Sequence, residues 1–210
     1  MKSGQLIRMS IARFSGGGGH FNIHDGYEID KCNQCGFVFT KEIPSTDWLK
    51  RFYDDQYSAY VNDGVNKPKK TLACSWRGLR LGCGRLCAPT GLQGLDAHVS
   101  DVESMHFAPQ TFDAVVALHV MEHVQNLEVF IKEIHRVMKQ GGYFFAVMPN
   151  MSHYKPKLAG ASWKFWGPPG HLWYFTNHSL TMFLENHGFE VKHCSSLYHR
   201  AHVRVLARKK

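Results

Sequence analysis

The sequence lacks several features that would place it in a familiar class of protein. No apolar run reaches the ~18 residues of a membrane span, and residues 1–14 contain neither the apolar core nor the cleavage site of a secretory signal. The six cysteines follow no regular pairing, which argues against a secreted disulfide scaffold. A G-x-S-x-G nucleophile elbow is also missing, which argues against a hydrolase. We therefore expect a cytoplasmic globular protein.

Acidic residues are scarce relative to basic ones. There are 17 against 25, which gives a formal charge of +8. Such an excess suggests a nucleic-acid surface, because phosphates attract clustered lysine and arginine. The clusters are small, however, and lie at residues 67–70 and 204–210. We favour a solvated basic surface and keep nucleic-acid binding as the alternative.

The chain does contain a clear strand, helix and strand between residues 112 and 150. Residues 112–118 are almost continuously apolar, which predicts a central parallel strand covered on both faces. Apolar residues then recur at helical spacing over residues 127–138. Gly141 and Gly142 are predicted to end this helix, since glycine readily adopts the left-handed conformation. A second strand is predicted over residues 143–148.

Polar side chains follow both predicted strands. His119, Glu122 and His123 come after the first strand, and Asn150 comes after the second. Ligands of open α/β sheets bind beyond the carboxyl ends of the strands, so these residues mark a candidate site. The near-neutral pKa typical of histidine suits His123 to general-base catalysis. The alternative is that Glu122 braces the following helix and His123 only packs.

Four blocks of the sequence form a further pattern. In chain order they are IDKCNQCGFVFTKEIPS, VSDVESMHF, the run from FDAVVALHVMEHV to VMPN, and GPPGHLWYFTNHSLTMFLENHGFEV. Together they resemble class I methyltransferases that use S-adenosylmethionine, in particular their type 23, UbiG-like branch. The resemblance implies a Rossmann-like α/β sheet that ends in an antiparallel hairpin over residues 189–195 and 202–207. It also implies methyl transfer to an acceptor, which we expect to be a small molecule of unknown identity.

The resemblance also assigns roles to individual residues. Asp101 stands where the family places the acid after its third strand, which commonly bonds the adenine amino group. His123 and His171 are the predicted catalytic residues, and Glu122 and Tyr174 are the predicted acceptor contacts. S-adenosylmethionine, with S-adenosylhomocysteine as product, would lie against a wider set: Gly82, Gly84, Asp101, Val102, Leu118 and His119.

The segment that should bind the cofactor departs from the family. Gly82 and Gly84 match its glycine turn, but Arg80 replaces the family's acid and Leu86 replaces its last glycine. A helix, a strand and a second helix should follow, and a parallel crossover alone needs at least a dozen residues.

Residues 85–98 are too few for those three elements. Residues 94–96 could mimic a ribose-binding turn, but we favour their interpretation as the approach to the third strand. The sequence thus predicts a sheet that lacks part of the first βαβ unit. A catalytically silent methyltransferase-like scaffold is the alternative function.

The amino-terminal part contains a cysteine knuckle. Cys32 and Cys35 have the spacing that binds zinc through two thiolates, but a structural zinc site needs four ligands. His20 and His24 could complete such a set, although we favour a knuckle without metal. We divide the chain into a leader, residues 1–70, with the knuckle and a helix, and an α/β domain, residues 71–210. The sequence does not indicate the oligomeric state.

Overall fold

The computed structural model describes residues 11–13, 29–32, 37–45, 47–49, 51, 71–75, 78–82, 96–98, 102–160, 163, 165–168, 170–196 and 199–210. Eleven strands are described: β1 Ile11–Arg13, β2 Ile29–Cys32, β3 Val38–Thr40, β4 Thr71–Ser75, β5 Gly78–Gly82, β6 Asp96–His98, β7 Phe112–Leu118, β8 Met138–Pro149, β9 Trp173–Tyr174, β10 Phe189–Ser196 and β11 His202–Lys209. The described α-helices are α1 Leu127–Val137, α2 Tyr154–Ala159 and α3 Asn177–Asn186. None of them is long and apolar enough to cross a membrane.

Seven strands form the main sheet, in the order β10-β11-β8-β7-β5-β4-β6. Strands β5, β7 and β8 are parallel neighbours, so the predicted central parallel strand is confirmed. The register places Gly82, Leu118 and Val147 level with one another at the carboxyl ends of these strands. β10 and β11 form the predicted antiparallel hairpin.

Strand β4 has an unusual place in this sheet. It precedes β5 in the chain, yet it lies between β5 and β6 and runs antiparallel to both. A doubly wound sheet would have a parallel strand in this position, because each βαβ crossover returns the chain in the same direction. Residues 83–95 alone connect β5 to β6.

Helix α1 buries its apolar stripe on one face of the sheet. The Asn126 side chain begins the helix by accepting a hydrogen bond from the Val129 amide at 3.0 Å. At the other end, the buried Lys209 ammonium donates to the carbonyls of His135 and Met138, which lack partners inside the helix. Five residues of the helix are buried: Leu127, Phe130, Ile131, Ile134 and Val137.

The predicted glycine end of this helix was wrong. The helix ends at Val137, because Met138 already adopts an extended conformation and pairs with Phe112. Gly141 and Gly142 instead lie in β8, where the register with β7 shifts. Gly141 has φ +74°, and a Cβ on Gly142 would lie 2.8 Å from the Asp113 carbonyl oxygen. The two glycines therefore shape the entry into the strand.

The two faces of β7 are buried to different degrees, which corrects the prediction of a strand covered on both sides. Val115 and Ala117 are fully buried in the core that includes α1. Ala114, Val116 and Leu118, which point to the opposite face, are only half-buried. One face of the sheet thus supports the main core, and the other is partly open.

A smaller antiparallel sheet has the order β1-β2-β3-β9. Its strand β9 comes from the predicted α/β domain, so both predicted domains contribute to one sheet. Cys32 is buried in β2, and its amide donates to the Phe37 carbonyl at 2.7 Å. Cys35, His20 and His24 lie outside the described residues, so the metal-free knuckle stays a prediction, with zinc binding as its alternative. Residues 47–49 are helical, in agreement with the predicted helix of the leader.

Candidate functional site

The site begins at a sharp turn after β7. His119, the first residue beyond the strand, has φ +54°, a conformation that is uncommon for residues other than glycine. Its amide still donates to the Val147 carbonyl of β8 at 2.9 Å, so the ladder holds the turn in place. Strained residues of this kind cluster at functional sites.

The turn directs His119 toward Glu122. The Nδ1 atom of His119 lies 3.0 Å from Oε1 of Glu122. The Glu122 side chain is 1% exposed and the His119 side chain is 42% exposed. An ionised carboxylate only accepts hydrogen bonds, so Nδ1 carries the proton and Nε2 is left with its lone pair. The pair therefore consists of a buried orienting carboxylate and an accessible imidazole.

Glu122 is ionised more readily than an ordinary glutamate. Burial by itself would raise its pKa, but the hydrogen bond from His119 and the nearby rings of His123, His119 and His171 outweigh burial, and the pKa is lowered. Its second carboxylate oxygen, Oε2, is buried and has no hydrogen-bond partner among the described residues. The site thus retains an unused acceptor at its centre.

His123 and His171 lie together close to Glu122. Their rings pack edge to face with centroids 4.6 Å apart. Nδ1 of His123 donates to the Gly170 carbonyl at 2.7 Å, and Nδ1 of His171 donates to the Phe165 carbonyl at 2.9 Å. The ligand atoms of Glu122, His123 and His171 lie within 4.8 Å of one another, so these side chains could hold a metal ion. Backbone carbonyls commonly orient metal-binding histidines in this way.

Tyr174, a predicted acceptor contact, lies beneath this histidine pair. It is 1% exposed, and its hydroxyl donates to the His171 carbonyl at 3.0 Å. Burial raises the pKa of Tyr174 to about 12, so the hydroxyl stays protonated as a donor at neutral pH. The structure therefore gives Tyr174 a supporting position below the site surface.

Asn150, at the end of β8, is also fully buried. Its amide nitrogen donates to Asn177 Oδ1 at 3.0 Å and to Ser196 Oγ at 2.7 Å. Its oxygen accepts from the Ser152 amide at 2.8 Å. Because its polar atoms are engaged, Asn150 braces the strand end and is not positioned as a ligand-binding group.

Two site residues escaped the sequence analysis. His202, at the start of β11, packs its ring against His119 with centroids 4.9 Å apart. Phe165 packs against His202 at 5.1 Å. Both are far from His119 in the chain, so no local pattern could have indicated them. The sequence placed His202 only as the start of a hairpin strand, and the pairing of that strand with β8 brings it to the site.

The predicted cofactor residues are placed only in part. Gly82 and Leu118 are paired at the carboxyl ends of β5 and β7, and His119 follows directly. Val102 begins the 3-10 turn Val102–Met105 and is buried. Gly84 and Asp101 lie outside the described residues. The glycine opposite a half-buried Leu118 fits a cofactor that lies across the strand ends, which is where such sheets bind nucleotides.

Comparison with known sequences shows relatives among methyltransferases. Over 121 residues the chain is 31% identical to the ubiquinone biosynthesis O-methyltransferase of Methylobacterium nodulans, which covers 50% of this chain and 49% of that protein. It is 34% identical over 65 residues to a sterol 4-C-methyltransferase of Caenorhabditis elegans, covering 27% of this chain and 20% of that protein. The chain spans about half the length or less of the curated relatives it matches.

Two of the solved structures that resemble part of the chain are described as methyltransferases. A SAM-dependent methyltransferase from Aquifex aeolicus is 17% identical, with a TM-score of 0.45 and 57% of each chain covered. The 1,6-didemethyltoxoflavin-N1-methyltransferase of Burkholderia thailandensis is 15% identical, with a TM-score of 0.41, covering 54% of this chain and 50% of that one. A sequence model of the family described as a methyltransferase domain, Methyltransf_23, matches residues 14–193. The chain therefore belongs to this family of class I, SAM-dependent methyltransferases, with its Rossmann-like α/β fold.

Proposed function

We propose that the protein transfers a methyl group from S-adenosylmethionine to a small-molecule acceptor, with His119 as the general base. The observation that carries this proposal is the hydrogen bond between His119 and the buried Glu122 at the carboxyl end of β7. Membership of the family supports the methyl donor. The relatives that act on oxygen support a hydroxyl acceptor.

The chemistry follows from the orientation of the His119 ring. When bound, the cofactor supplies an electrophilic methyl group on a sulfonium. Nε2 of His119 accepts the proton of the acceptor hydroxyl while the new oxygen–carbon bond forms and the sulfur–carbon bond breaks. Glu122 keeps the proton on Nδ1 and stabilises the imidazolium that results. His123 and His171 line a wall of the site, where their backbone hydrogen bonds fix their rings.

We assign the cofactor to Gly82, Leu118 and His119 among the described residues, together with Val102, Gly84 and Asp101. The antiparallel β4 and the short 83–95 connection support a binding region reduced by part of one βαβ unit. The same observation favours the second candidate function, a methyltransferase-like scaffold without activity. A glycine turn binds a cofactor through amides that a helix aims, and residues 83–95 leave little chain for such a helix.

Calorimetric titration with S-adenosylhomocysteine separates the two candidates. We expect micromolar binding that Asp101→Ala weakens at least about tenfold, since a lost charge-assisted hydrogen bond costs 1.5–3 kcal/mol. Asp113→Ala is the matched control, because Asp113 lies at the amino end of β7 in a surface pair with Lys139. No binding of the folded protein at millimolar ligand would refute the enzyme and leave the scaffold.

A further inference from the structure

A groove of about 720 Å³ opens next to the His119 site. Helix α2 forms one side of it, and the residues that lead into β11 form the other. Its volume lies within the range of roughly 300–1,000 Å³ that is usual for small-molecule pockets. Nothing in the proposed methyl transfer yet uses this groove.

The floor of the groove is aromatic and touches the site. Trp163 and Phe165 pack edge to face with centroids 5.4 Å apart. Phe165 contacts the His202 ring at 5.1 Å, and His202 in turn contacts His119 at 4.9 Å. A flat molecule that stacks on Phe165 would therefore have one end near His202 and His119.

The lining of the groove is also basic. Lys155, His199, Arg200 and His202 contribute to it, and none of the described lining residues is acidic. Lys155 is tied to the rim, because its Nζ donates to the His199 carbonyl at 2.8 Å. Arg200 is exposed, and its guanidinium is in no ion pair within the described part of the chain. Guanidinium groups bind carboxylates and phosphates through two parallel hydrogen bonds.

We propose that this groove binds the acceptor and that the acceptor is an aromatic molecule carrying an oxyanion, either a carboxylate or a phosphate. Arg200 binds the oxyanion, the aromatic body stacks on Phe165 and meets Trp163 at an angle, and the nucleophile points toward His119. The role as acceptor site rests on the proposed methyl transfer. The anion preference rests only on the groove.

Direct binding tests the preference without any methyl donor. The probes are 2-naphthoate and 2-naphthyl phosphate, each compared with the neutral 2-naphthamide, and binding is followed by tryptophan fluorescence and calorimetry. We expect at least one anion to bind about fivefold or more tighter than the amide, with an advantage that shrinks between about 50 and 300 mM NaCl. Whichever anion binds more tightly identifies the headgroup.

Two substitutions of Arg200 test whether this residue causes the anion preference. Arg200→Ala should remove most of the anion preference and leave amide binding unchanged, while Arg200→Lys should restore part of it. Arg204→Ala is the matched control, because this exposed arginine donates to Ser195 outside the groove. Equal binding of anion and amide, a preference that survives Arg200→Ala, or no anion binding at about 10 mM would each overturn the proposal. If the protein did not bind S-adenosylhomocysteine but still preferred the anion, the proposed methyl transfer would be refuted and the anion-binding groove would stand.

Discussion

His119 and His123 both lie near the Glu122 carboxylate, but their imidazole rings have different hydrogen-bond partners. His119 bonds the carboxylate through Nδ1 and exposes 42% of its side chain. His123 instead donates Nδ1 to a backbone carbonyl at 2.7 Å and packs against His171. An imidazole that is oriented by a carboxylate and accessible can accept a proton, whereas one fixed to the backbone mainly shapes a wall. The difference gives each histidine a separate expected role.

Among the substitutions that test this difference between the two histidines, replacement of His119 should reduce activity most. His119→Gln removes the general base, and we expect kcat to fall about 10²- to 10⁴-fold. The S-adenosylhomocysteine affinity should fall much less than kcat, because Gly82 and Leu118 remain as cofactor contacts. The assay needs an acceptor, for which the anions of the groove are the first candidates. His193→Gln, on an exposed part of β10, is the control, and a loss in both variants would contradict the role of His119.

Glu122→Gln tests whether the carboxylate orients His119. The amide can still accept from Nδ1, but it cannot stabilise the imidazolium, so we expect kcat to fall about 10- to 100-fold with little change in KM. A purely structural role would alter KM and the melting temperature in parallel with kcat. Unchanged kcat would refute the positioning role.

The lowered pKa of Glu122 adds a dependence of stability on pH. Because the folded pKa lies below the ordinary value of 4.5, the ionised carboxylate stabilises the folded protein fully above pH 4.5. This contribution is lost as the pH falls through the folded pKa. Glu122→Gln should therefore flatten the decline in melting temperature below pH 4.5. Glu185→Gln, which replaces an exposed acid of α3, provides the control.

The sequence predicted the strand and helix framework better than the site within it. Periodicity located β7, α1 and the β10–β11 hairpin, because burial imposes a regular pattern on each. The glycines predicted a later end for α1 than the structure shows, because Met138 already pairs with Phe112 in the sheet.

The site itself depended on contacts that local patterns do not encode. His119, Glu122 and His123 were recognisable because they follow a strand, but the contact of His119 with His202 joins residues far apart in the chain. The resemblance predicts Tyr174 as an acceptor contact, and the structure buries its hydroxyl against the His171 carbonyl. Which aromatic faces the ligand is decided by tertiary packing.

His123→Ala should have a smaller effect than either change on the His119 side. It removes the hydrogen bond to Gly170, which we expect to reduce the free energy of unfolding by about 0.5–1.5 kcal/mol. Activity should fall by less than about tenfold, because His119, the proposed base, is intact. Urea unfolding and initial rates measure the two effects. A fall in kcat as large as that of His119→Gln would reverse the roles assigned to the two histidines.

Tyr174→Phe should give the smallest change. It tests how much the Tyr174 hydroxyl contributes to fixing the backbone of His171. The substitution removes the hydroxyl that donates to the His171 carbonyl, but the Thr40 hydroxyl donates to the same oxygen at 3.1 Å. Because that acceptor keeps a partner, we expect a loss of no more than about 1 kcal/mol in the free energy of unfolding. The double variant Thr40→Val with Tyr174→Phe should lose more than the sum of the single changes, since the carbonyl is then left without either donor. Strict additivity in urea unfolding would show that these two hydroxyls do not jointly fix the histidine wall.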